Sequence, residues 1–272
     1  MSDERLDLAL VERGLARSRT AAQGAIKDGH VRVDGATVTR PGLRVGDDAE
    51  IEVESVNGWV GRAAGKLDAA LDAFSVDVRG RTALDLGAST GGFTQVLLER
   101  GAASVVALDV GHDQLVPELR EDPRVVVVEG ENARSLTPER LTELSGSAAP
   151  PEVVVADLSF ISLAMILPAI VAVADPEADV ICLVKPQFEV GRTKVRVGLV
   201  PDPADRESAV RSVLDTAASL GLRTAGVMAS PLVGAHGNRE VLVHLHRSRG
   251  SDPAEWSTSI ERSVRPDAGE VA

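Results

Sequence analysis

Apolar residues spaced three and four positions apart predict two short helices at the start of the chain. Leu6 and Leu10 would share one face of a helix over residues 5–13, which is the spacing expected of an amphipathic helix. Ser18 is a candidate N-cap for a second helix over residues 19–28. The alternating motif HVRVDG and the segment after it predict a small β-sheet. We therefore expect the chain to begin with a small α+β domain.

From residue 62 onward, apolar strands alternate with helical patterns, the first of which covers residues 62–74. The predicted strands are residues 82–86, 104–109, 124–128, 152–157, 179–184, 222–229 and 240–246. The predicted helices between the first six strands are residues 93–100, 112–119, 137–144, 162–173 and 205–220. Uninterrupted apolar runs such as VVVV suit strands that are covered on both faces, so the pattern predicts a Rossmann-like, doubly wound α/β domain. The last two strands have no helix between them and are expected to form an antiparallel hairpin at one edge.

The motif TALDLGASTGGF joins the first strand of this domain to its first helix. Glycine lets the backbone turn sharply and approach a ligand closely, because it has no Cβ. The spacing G-x-x-x-G-G differs from the G-x-G-x-x-G of dinucleotide sites. Asp109 ends the next strand about 20 residues after Gly87, where an acid that binds ribose hydroxyls is expected. A purely structural turn is the alternative, and we favour a site for S-adenosyl-L-methionine. The predicted cofactor contacts are Asp85, Gly87, Ala88, Ser89, Gly91, Gly92, Phe93, Asp109, Asn132 and Asp157.

Composition and charge narrow the classes of function. The chain has 272 residues and a net charge of −12, which opposes nonspecific coating of nucleic acid. Residues 13–44 nevertheless carry seven basic residues and two acids, which is typical of an RNA-binding module, although a solvated surface is the alternative. Cys182 is the only cysteine, so neither a disulfide framework nor a cysteine-rich metal site is expected. The start MSDERLD predicts no signal peptide, and the longest uncharged run, residues 158–174, is too short to span a membrane. We expect a cytoplasmic protein.

Four long motifs occur in the order LALVERGLARSRTAAQGAIKDGHVRVDG, DLGASTGGFT, ADLSFISL and VKPQFEVG. The first resembles the alpha-L RNA-binding motif of a small-subunit ribosomal protein and of pseudouridine synthases. Together they make the chain, to about residue 247, similar to the TlyA family, whose members resemble FtsJ-type RNA ribose methyltransferases and carry the historical name haemolysin A. The domain organisation that this resemblance implies is an alpha-L type RNA-binding domain at residues 1–54, a linker at 55–61, an FtsJ-like methyltransferase domain at 62–247 and a polar tail at 248–272.

FtsJ-like methyltransferases use a Lys-Asp-Lys-Glu tetrad, which the resemblance places at Lys66, Asp157, Lys185 and Glu240. Two of these positions have independent support, because Asp157 and Lys185 follow apolar strands at the sheet edge where ligands bind. A structural ion pair between these two residues is the alternative. Two motifs depart from the family pattern, since Gly65 precedes Lys66 and apolar residues follow Glu240 in place of aromatic ones.

A ribose 2′-hydroxyl is a poor nucleophile, so its methylation requires alignment and uptake of a proton. A neutral lysine can accept that proton when a neighbouring positive charge or burial lowers its pKa. We expect Lys185 to be this base and Lys66 to be its like-charged neighbour, with Asp157 and Glu240 orienting the two amines. Enzymes that methylate amines usually carry Asp/Asn-Pro-Pro-aromatic here, and the sequence DLSF without prolines favours an oxygen acceptor. Phe160 is expected to pack in the interior in preference to stacking on a base.

The resemblance implies 2′-O-methylation of ribose in ribosomal RNA, with cytidine as the target and ribosomal RNA or ribosomal subunits as the partner. A membrane-lytic haemolysin, a catalytically inactive RNA-binding protein and a nicotinamide-dependent oxidoreductase are the other candidates. The lack of a membrane-spanning or basic amphipathic stretch opposes a membrane-lytic function. The complete tetrad opposes an inactive RNA-binding protein, and the spacing of the glycines opposes a nicotinamide-dependent oxidoreductase. No membrane or metal partner is expected, and the oligomeric state is left open. The predicted RNA contacts are Arg13, Arg17, Ser18, Arg19, Lys27, Arg32, Arg62, Arg192, Lys194 and Arg196.

Overall fold

A computed structural model describes residues 4–13, 15–16, 19–27, 29–46, 49–53, 59–234 and 237–265. The N-terminal elements are β1 (Glu4–Arg5), α1 (Leu6–Glu12), α2 (Arg19–Lys27), β2 (Val31–Val33), β3 (Ala36–Val38), β4 (Arg44–Val45) and β5 (Ile51–Val53). Strands β3, β2 and β5 form an antiparallel sheet in that order, and β1 pairs with β4. Leu6, Leu10 and Ile26 are fully buried between the helices and the sheet. The predicted pair of helices and small sheet are therefore confirmed, while the predicted N-cap Ser18 lies outside the described residues.

The rest of the chain forms a seven-stranded sheet with helices on both faces. Its elements are α3 (Ala63–Phe74), β6 (Thr82–Leu86), α4 (Gly92–Glu99), β7 (Ser104–Asp109), α5 (Pro117–Arg120), β8 (Val125–Glu129), α6 (Pro138–Ser145), β9 (Val153–Ala156), α7 (Leu167–Val173), β10 (Asp179–Val184), α8 (Pro186–Glu189), α9 (Pro203–Ser219), β11 (Arg223–Ala229), β12 (Val241–His246) and α10 (Ser257–Val264). The strand order is β11-β12-β10-β9-β6-β7-β8. Strands β6 to β10 pair in parallel, and β12 is antiparallel to both of its neighbours. The doubly wound sheet and its terminal hairpin are as predicted.

Strand β9 shows why this sheet needs a cover on both faces. All four of its residues are buried, and they alternate between two apolar clusters. Val153 and Val155 pack in the cluster that contains α3 and α4, while Val154 and Ala156 pack in the cluster that contains α7 and α9. Successive side chains of a strand point to opposite faces, so a strand without polar positions is stable only between two layers of helices.

The helix predicted over residues 112–119 is wrong in most of its length, because only Pro117–Arg120 is helical. The carboxylate of Glu129 accepts the backbone N–H groups of Asp113 at 2.9 Å and of Gln114 at 3.1 Å. Asp113 also has a left-handed φ of 53°, which a helix does not allow. The left-handed backbone at Asp113 thus interrupts the predicted helix, and the Glu129 carboxylate holds the segment in this non-helical conformation.

Residues 248–265, which the sequence assigns to a polar tail, form a helical segment that packs on the large sheet. A 3₁₀ turn, Pro253–Trp256, leads into α10, in which Ile260 and Val264 are buried against the main core. The Trp256 indole N–H donates to the carbonyl of Thr224 on β11. Widely spaced apolar residues are therefore enough to dock this helix. In the described part of the chain, no helix has both the length and the apolar character needed to cross a bilayer.

The buried carboxylate of Asp179 connects several elements at the end of the sheet where β6 and β10 begin. Asp179 accepts hydrogen bonds from His244 Nε2 at 2.7 Å and from Arg81 at 2.8 Å. Burial alone would raise the pKa of Asp179, but these donors hold it well below its usual range. The His244 ring also stacks on Phe74 with ring centroids 5.6 Å apart, which joins α3 to β12.

The contact of Phe74 with β11 leaves no room for a side chain at Gly226, where an added Cβ would overlap the Phe74 ring. We expect Gly226→Ala to lower the free energy of unfolding by about 1–3 kcal/mol, because overpacking forces side chains from their rotamers. Gly191→Ala is the control, since its new methyl group meets no atom within 4 Å and should change stability by less than about 0.5 kcal/mol. Guanidinium unfolding followed by circular dichroism measures both variants, and equal stabilities would contradict the packing of Phe74 described above.

Candidate active site

A cavity of about 430 Å³ opens at the carboxyl ends of β6, β9 and β10. The chain order reverses at this point of the sheet, because β7 and β8 lie on one side of β6 whereas β9 and β10 lie on the other. Ligands of open α/β sheets bind outside the strand ends at such a switch point. The volume also falls in the range of about 300–1,000 Å³ that is common for small-molecule sites. The position and size of the cavity therefore indicate a ligand site.

The glycine turn after β6 forms one part of the cavity lining. Gly87 has a φ of +86°, and a Cβ at this position would lie 2.7 Å from the carbonyl oxygen of Asp157. Gly91, the N-cap of α4, has a φ of 102°. Both values favour glycine, because a Cβ is strained there. The turn thus brings the loop after β6 against the loop after β9, and Gly92 and Phe93 of α4 line the cavity beside it.

The four residues of the predicted tetrad line the same cavity as two ion pairs: Lys66 with Glu240, and Lys185 with Asp157. Lys66 Nζ on α3 lies 2.6 Å from Glu240 Oε2, just before β12. Lys185 Nζ, after β10, lies 2.6 Å from Asp157 Oδ1, after β9. None of the four side chains is more than 13% exposed. Four segments that are distant in the sequence thus bring two amines and two carboxylates together.

The charges of these four groups balance one another. Burial alone would raise the pKa of Asp157, but the positive charges of Lys185, Lys66 and Arg62 hold it below its usual range. The ion pair between Asp157 and Lys185, which the sequence left open as a structural alternative, is present. Both of its side chains line the cavity, so the pair is also placed for chemistry.

The loop after β9 adds two residues that the sequence did not assign correctly. Lys185 Nζ donates to Ser159 Oγ at 2.9 Å, and Ser159 was missed although it lies in the ADLSFISL motif. The expected interior packing of Phe160 is wrong, because this residue is 90% exposed and has a φ of 66°. Its ring centroid lies 5.2 Å from that of Phe188. A bulky residue in left-handed backbone is unusual, and both rings line the cavity.

The predicted cofactor residues divide into two groups. Those that line the cavity are Gly87, Ala88, Ser89, Gly92, Phe93 and Asp157. The others, Asp85, Gly91, Asp109 and Asn132, are not part of its lining. Asp109 accepts the N–H groups of Ser89 at 2.9 Å and of Gly111 at 2.7 Å, which ties the end of β7 to the glycine turn. Asn132 caps a short 3₁₀ turn by accepting the N–H of Arg134.

Asp85 lies fully buried beneath the glycine turn. Its Oδ2 accepts the Thr94 hydroxyl at 2.7 Å, and its Oδ1 has no hydrogen-bond partner among the described residues. Burial raises the pKa of Asp85 to about 7. Gly87 leaves a space that a Cβ would fill, and Asp109 offers acceptor oxygens at the end of β7. Both features suit a nucleoside ligand. The residues present therefore fit the cofactor that the sequence suggested.

Four of the six predicted RNA contacts in the N-terminal domain are described: Arg13, Arg19, Lys27 and Arg32. The other two, Arg17 and Ser18, lie outside the described residues. Lys27 is exposed in the last turn of α2, and Arg32 lies on β2. Arg13 donates to two backbone carbonyls of the connection between β4 and β5. The positions of Lys27 and Arg32 are compatible with phosphate contacts, whereas Arg13 has a structural role as well.

A buried carboxylate, Asp7 on α1, fixes the arrangement of the two N-terminal helices. It accepts hydrogen bonds from Arg5 at 2.9 Å, Arg19 at 2.9 Å and Gln23 at 2.7 Å. These donors, Arg5 above all, hold the pKa of Asp7 well below its usual range. Arg19 therefore joins α2 to α1 in addition to its predicted role in RNA binding.

The remaining predicted RNA contacts are Arg62, which lines the cavity, and three residues of the loop after α8, whose Val195 also lines it. In the loop after α8, Lys194 Nζ lies 2.7 Å from Asp205 Oδ1, and Arg196 is exposed. The side chain of Arg192 lies outside the described set. Among its described side chains, this loop therefore carries one exposed guanidinium and one amine that is paired with a carboxylate.

Two family models match the chain. An S4 domain matches residues 4–51, and an FtsJ-like methyltransferase matches residues 59–247. The fold and the cavity thus define a Rossmann-like methyltransferase domain that follows an S4 domain. The chain belongs to the FtsJ-like methyltransferase family.

Individual relatives cover nearly the whole chain. The 16S/23S rRNA (cytidine-2'-O)-methyltransferase TlyA of Mycobacterium tuberculosis is 52% identical over 96% of this chain and 95% of that protein. Hemolysin A of Brachyspira hyodysenteriae is 39% identical over 89% of this chain and 99% of that protein. The solved structure of a hemolysin-type protein from Streptococcus thermophilus superposes with a TM-score of 0.75 at 36% identity, over 97% of this chain and 96% of that one. These matches confirm the family that the motifs indicated.

Replacement of Asp7 by asparagine removes the charge that Arg5 and Arg19 share. We expect Asp7→Asn to lower the free energy of unfolding of the N-terminal domain by about 1–3 kcal/mol, because a buried acceptor of charged donors is lost. The pKa of Asp7 is lower in the folded state than in the unfolded state. The advantage of the wild type is therefore complete above the unfolded value of about 3.9 and declines as the pH falls toward the folded value.

Asp34→Asn is the matched control, because Asp34 is exposed and accepts only a backbone N–H, from Glu50, in the contacts described. Hydrogen exchange of the α1 and α2 amides measures both variants. Faster exchange is expected in Asp7→Asn alone, and equal protection of the two variants would contradict the role given to Asp7.

Proposed function

We propose that this protein transfers the methyl group of S-adenosyl-L-methionine to a ribose 2′-hydroxyl of ribosomal RNA, with cytidine as the target nucleoside. The observation that carries the proposal is the pairing of Lys66 with Glu240 and of Lys185 with Asp157 in the cavity beside the glycine turn. The relative from M. tuberculosis supports the choice of substrate, because its name gives cytidine 2′-O-methylation of 16S and 23S ribosomal RNA.

The glycine turn would hold the cofactor. When bound, S-adenosyl-L-methionine supplies a methyl group that its sulfonium already activates. Gly87 would permit close approach of the ligand, because it presents no side chain. Asp109 would accept the ribose hydroxyls through the lone pairs that remain after its bonds to Ser89 and Gly111.

Lys185 is the proposed general base. Its Nζ is held between the carboxylate of Asp157 at 2.6 Å and the hydroxyl of Ser159 at 2.9 Å, which fixes the direction of the amine. In its neutral form, Nζ would take the proton of the 2′-hydroxyl as that oxygen accepts the methyl group that the bound cofactor would supply. Asp157 stabilises the ammonium that results. Release of this proton to water returns Lys185 to its neutral form.

Lys66 and Glu240 support this step from the other ion pair. Lys66 places a second positive charge near Asp157, in addition to that of Lys185. Glu240 balances the charge of Lys66, and Gly234 makes room for the Glu240 carboxylate, which an added Cβ would overlap. The Gly234 turn is thus shaped around the catalytic pair.

RNA would be bound at two places. The exposed ring of Phe160, next to Phe188, offers a stacking surface for an unpaired base at the cavity. The S4 domain would contact phosphates through the exposed Lys27 and the half-buried Arg32, because cations at the surface bind the RNA backbone independently of sequence. One domain would then position the RNA while the other carries out the chemistry.

The test of the proposal is the substitution of Lys185. We expect Lys185→Ala to lower the methyl transfer rate by about 10²–10⁴-fold, which is the usual contribution of a general base. Lys185→Arg should be equally slow, because a guanidinium stays protonated near neutral pH. The measurement is transfer of labelled methyl groups to ribosomal subunits under single-turnover conditions, with calorimetry to show that cofactor affinity stays within about threefold.

Lys66→Arg is the matched control, since an arginine can still pair with Glu240 and should retain more activity than Lys185→Arg. Efficient transfer by Lys185→Arg would overturn the assignment of the base and leave the reaction intact. Primer extension on ribosomal RNA that had been treated with the wild-type protein should show a new 2′-O-methyl stop at a cytidine. If no such stop appears, the proposed function is wrong.

Phosphate binding by the S4 domain predicts a salt-dependent affinity. We expect Lys27→Ala to reduce the slope of log affinity against log salt by about one, which corresponds to one lost phosphate contact. Arg223→Ala is the control, because this exposed residue begins β11 at the sheet end opposite the cavity. Filter binding of ribosomal RNA at several salt concentrations measures both slopes, and identical slopes would exclude Lys27 as a contact.

A further inference from the structure

We propose that Glu189 is a positioning residue that holds the loop of Asp157 and the loop of Lys185 in register for methyl transfer. The inference rests on the proposed function and deepens it, because it assigns a role to a carboxylate outside the tetrad. The hydrogen bonds of this carboxylate lie outside the cavity lining.

Glu189 bridges the two loops through both of its carboxylate oxygens. Its Oε2 accepts the Ser162 hydroxyl at 2.5 Å, and its Oε1 accepts the Leu163 N–H at 2.8 Å. Glu189 ends α8, the short helix that begins directly after Lys185. Ser162 and Leu163 lie in the loop that begins at Asp157. One side chain therefore joins the segments that carry the proposed base and its acidic partner.

The Glu189 bridge is polar, which indicates that the relative position of the two loops is important for the proposed reaction. In the contacts described, both donors to Glu189 are neutral, a hydroxyl and a backbone amide. Burial raises the pKa of this carboxyl group, because removal from water disfavours its charged form. A stabilising contact between two loops could be made by apolar side chains without that cost. A carboxylate, however, fixes two donors at defined distances and angles.

Lys185 contacts both Asp157 and Ser159, the ring of Phe188 meets Phe160, and Glu189 binds Ser162 and Leu163. The contacts of Lys185 belong to the proposed chemistry, and the two rings form the proposed base-stacking surface. The contacts of Glu189 lie outside the cavity lining, so they hold the two loops together without taking part in either. A displacement at Glu189 would therefore change the distance between Lys185 and Asp157.

The test compares Glu189→Ala with Glu189→Gln. We expect Glu189→Ala to lower kcat by about 10–100-fold, because misplacement of a catalytic group by about 1 Å has an effect of this size. Cofactor affinity and KM for ribosomal subunits should stay within about threefold, since Glu189 contacts neither ligand. Glu189→Gln should recover kcat to within about threefold of the wild type. Its amide oxygen can accept the Leu163 N–H, and its amide nitrogen can donate to Ser162 Oγ.

Glu152→Ala is the matched control. Glu152 accepts the backbone N–H of Thr82 at 3.0 Å and thus joins the starts of β6 and β9, at the end of the sheet opposite the cavity. This variant loses a comparable bridge between neighbouring strands, so its thermal midpoint should fall by an amount similar to that of Glu189→Ala. Its kcat per folded molecule should equal that of the wild type.

Two activity results would overturn the inference. One is a wild-type kcat in Glu189→Ala at a matched folded fraction. The other is a Glu189→Gln variant as slow as Glu189→Ala, which would assign the effect to charge and not to position. If the wild-type protein itself did not methylate ribosomal RNA, the proposed function would fail, but hydrogen exchange would still test the bridge. The Leu163 amide should exchange faster in Glu189→Ala while the amides of β10 stay protected. Unchanged protection of Leu163 would overturn the inference whatever the reaction.

Discussion

The close approach of two loops at Gly87 is the constraint on which the site depends. The chain leaves β6 at this residue with a left-handed backbone, and the carbonyl oxygen of Asp157 occupies the space where a side chain would begin. Parallel strands β6 and β9 are neighbours, so the loops that follow them must diverge within a few ångströms of each other. Without a side chain at Gly87, the first loop folds back toward α4 and the second continues toward Lys185. The cavity is the space that this divergence opens.

Much of the architecture could be predicted from the sequence because its signals are local. Strand β9 reads VVVA, and such a run is stable only inside a two-sided core, which identified the doubly wound sheet. Asp157 and Lys185 could be placed in one site because both end neighbouring strands. The features that were missed depend on distant partners. The segment before α5 is kept from forming a helix by the left-handed backbone of Asp113, whose N–H the Glu129 carboxylate accepts. The C-terminal helix docks through Ile260 and Val264, whose burial a weak periodic signal does not predict. Neither partner could be identified from local spacing.

Phe160 shows a different limit of the sequence. An aromatic residue in a chain with 2% aromatic content is most readily interpreted as core, because large apolar side chains are usually buried. The structure exposes it and strains its backbone in the same loop that carries Asp157 and Ser159. An exposed aromatic side chain in strained backbone is expected at a functional site, where binding compensates for strain in the free protein.

The buried acidic groups follow the usual rule that a buried charge is paired. Asp7 and Asp179 are each surrounded by several donors, which offsets the cost of burying their charges.

The partner of Lys66 has a consequence for the synthesis of this protein. Lys66 and Glu240 are separated by 174 positions in the sequence, and Glu240 reaches the cavity from the beginning of β12, the only strand that runs against the rest of the described seven-stranded sheet. A nascent chain can form the glycine turn and the pair of Asp157 with Lys185 before Glu240 has been synthesised. Until β12 emerges and inserts between β10 and β11, Lys66 lacks its ion-pair partner Glu240. Chains that have not yet reached residue 240 therefore carry the glycine turn without the pair of Lys66 and Glu240, so synthesis of β12 is the step that completes the cavity lining.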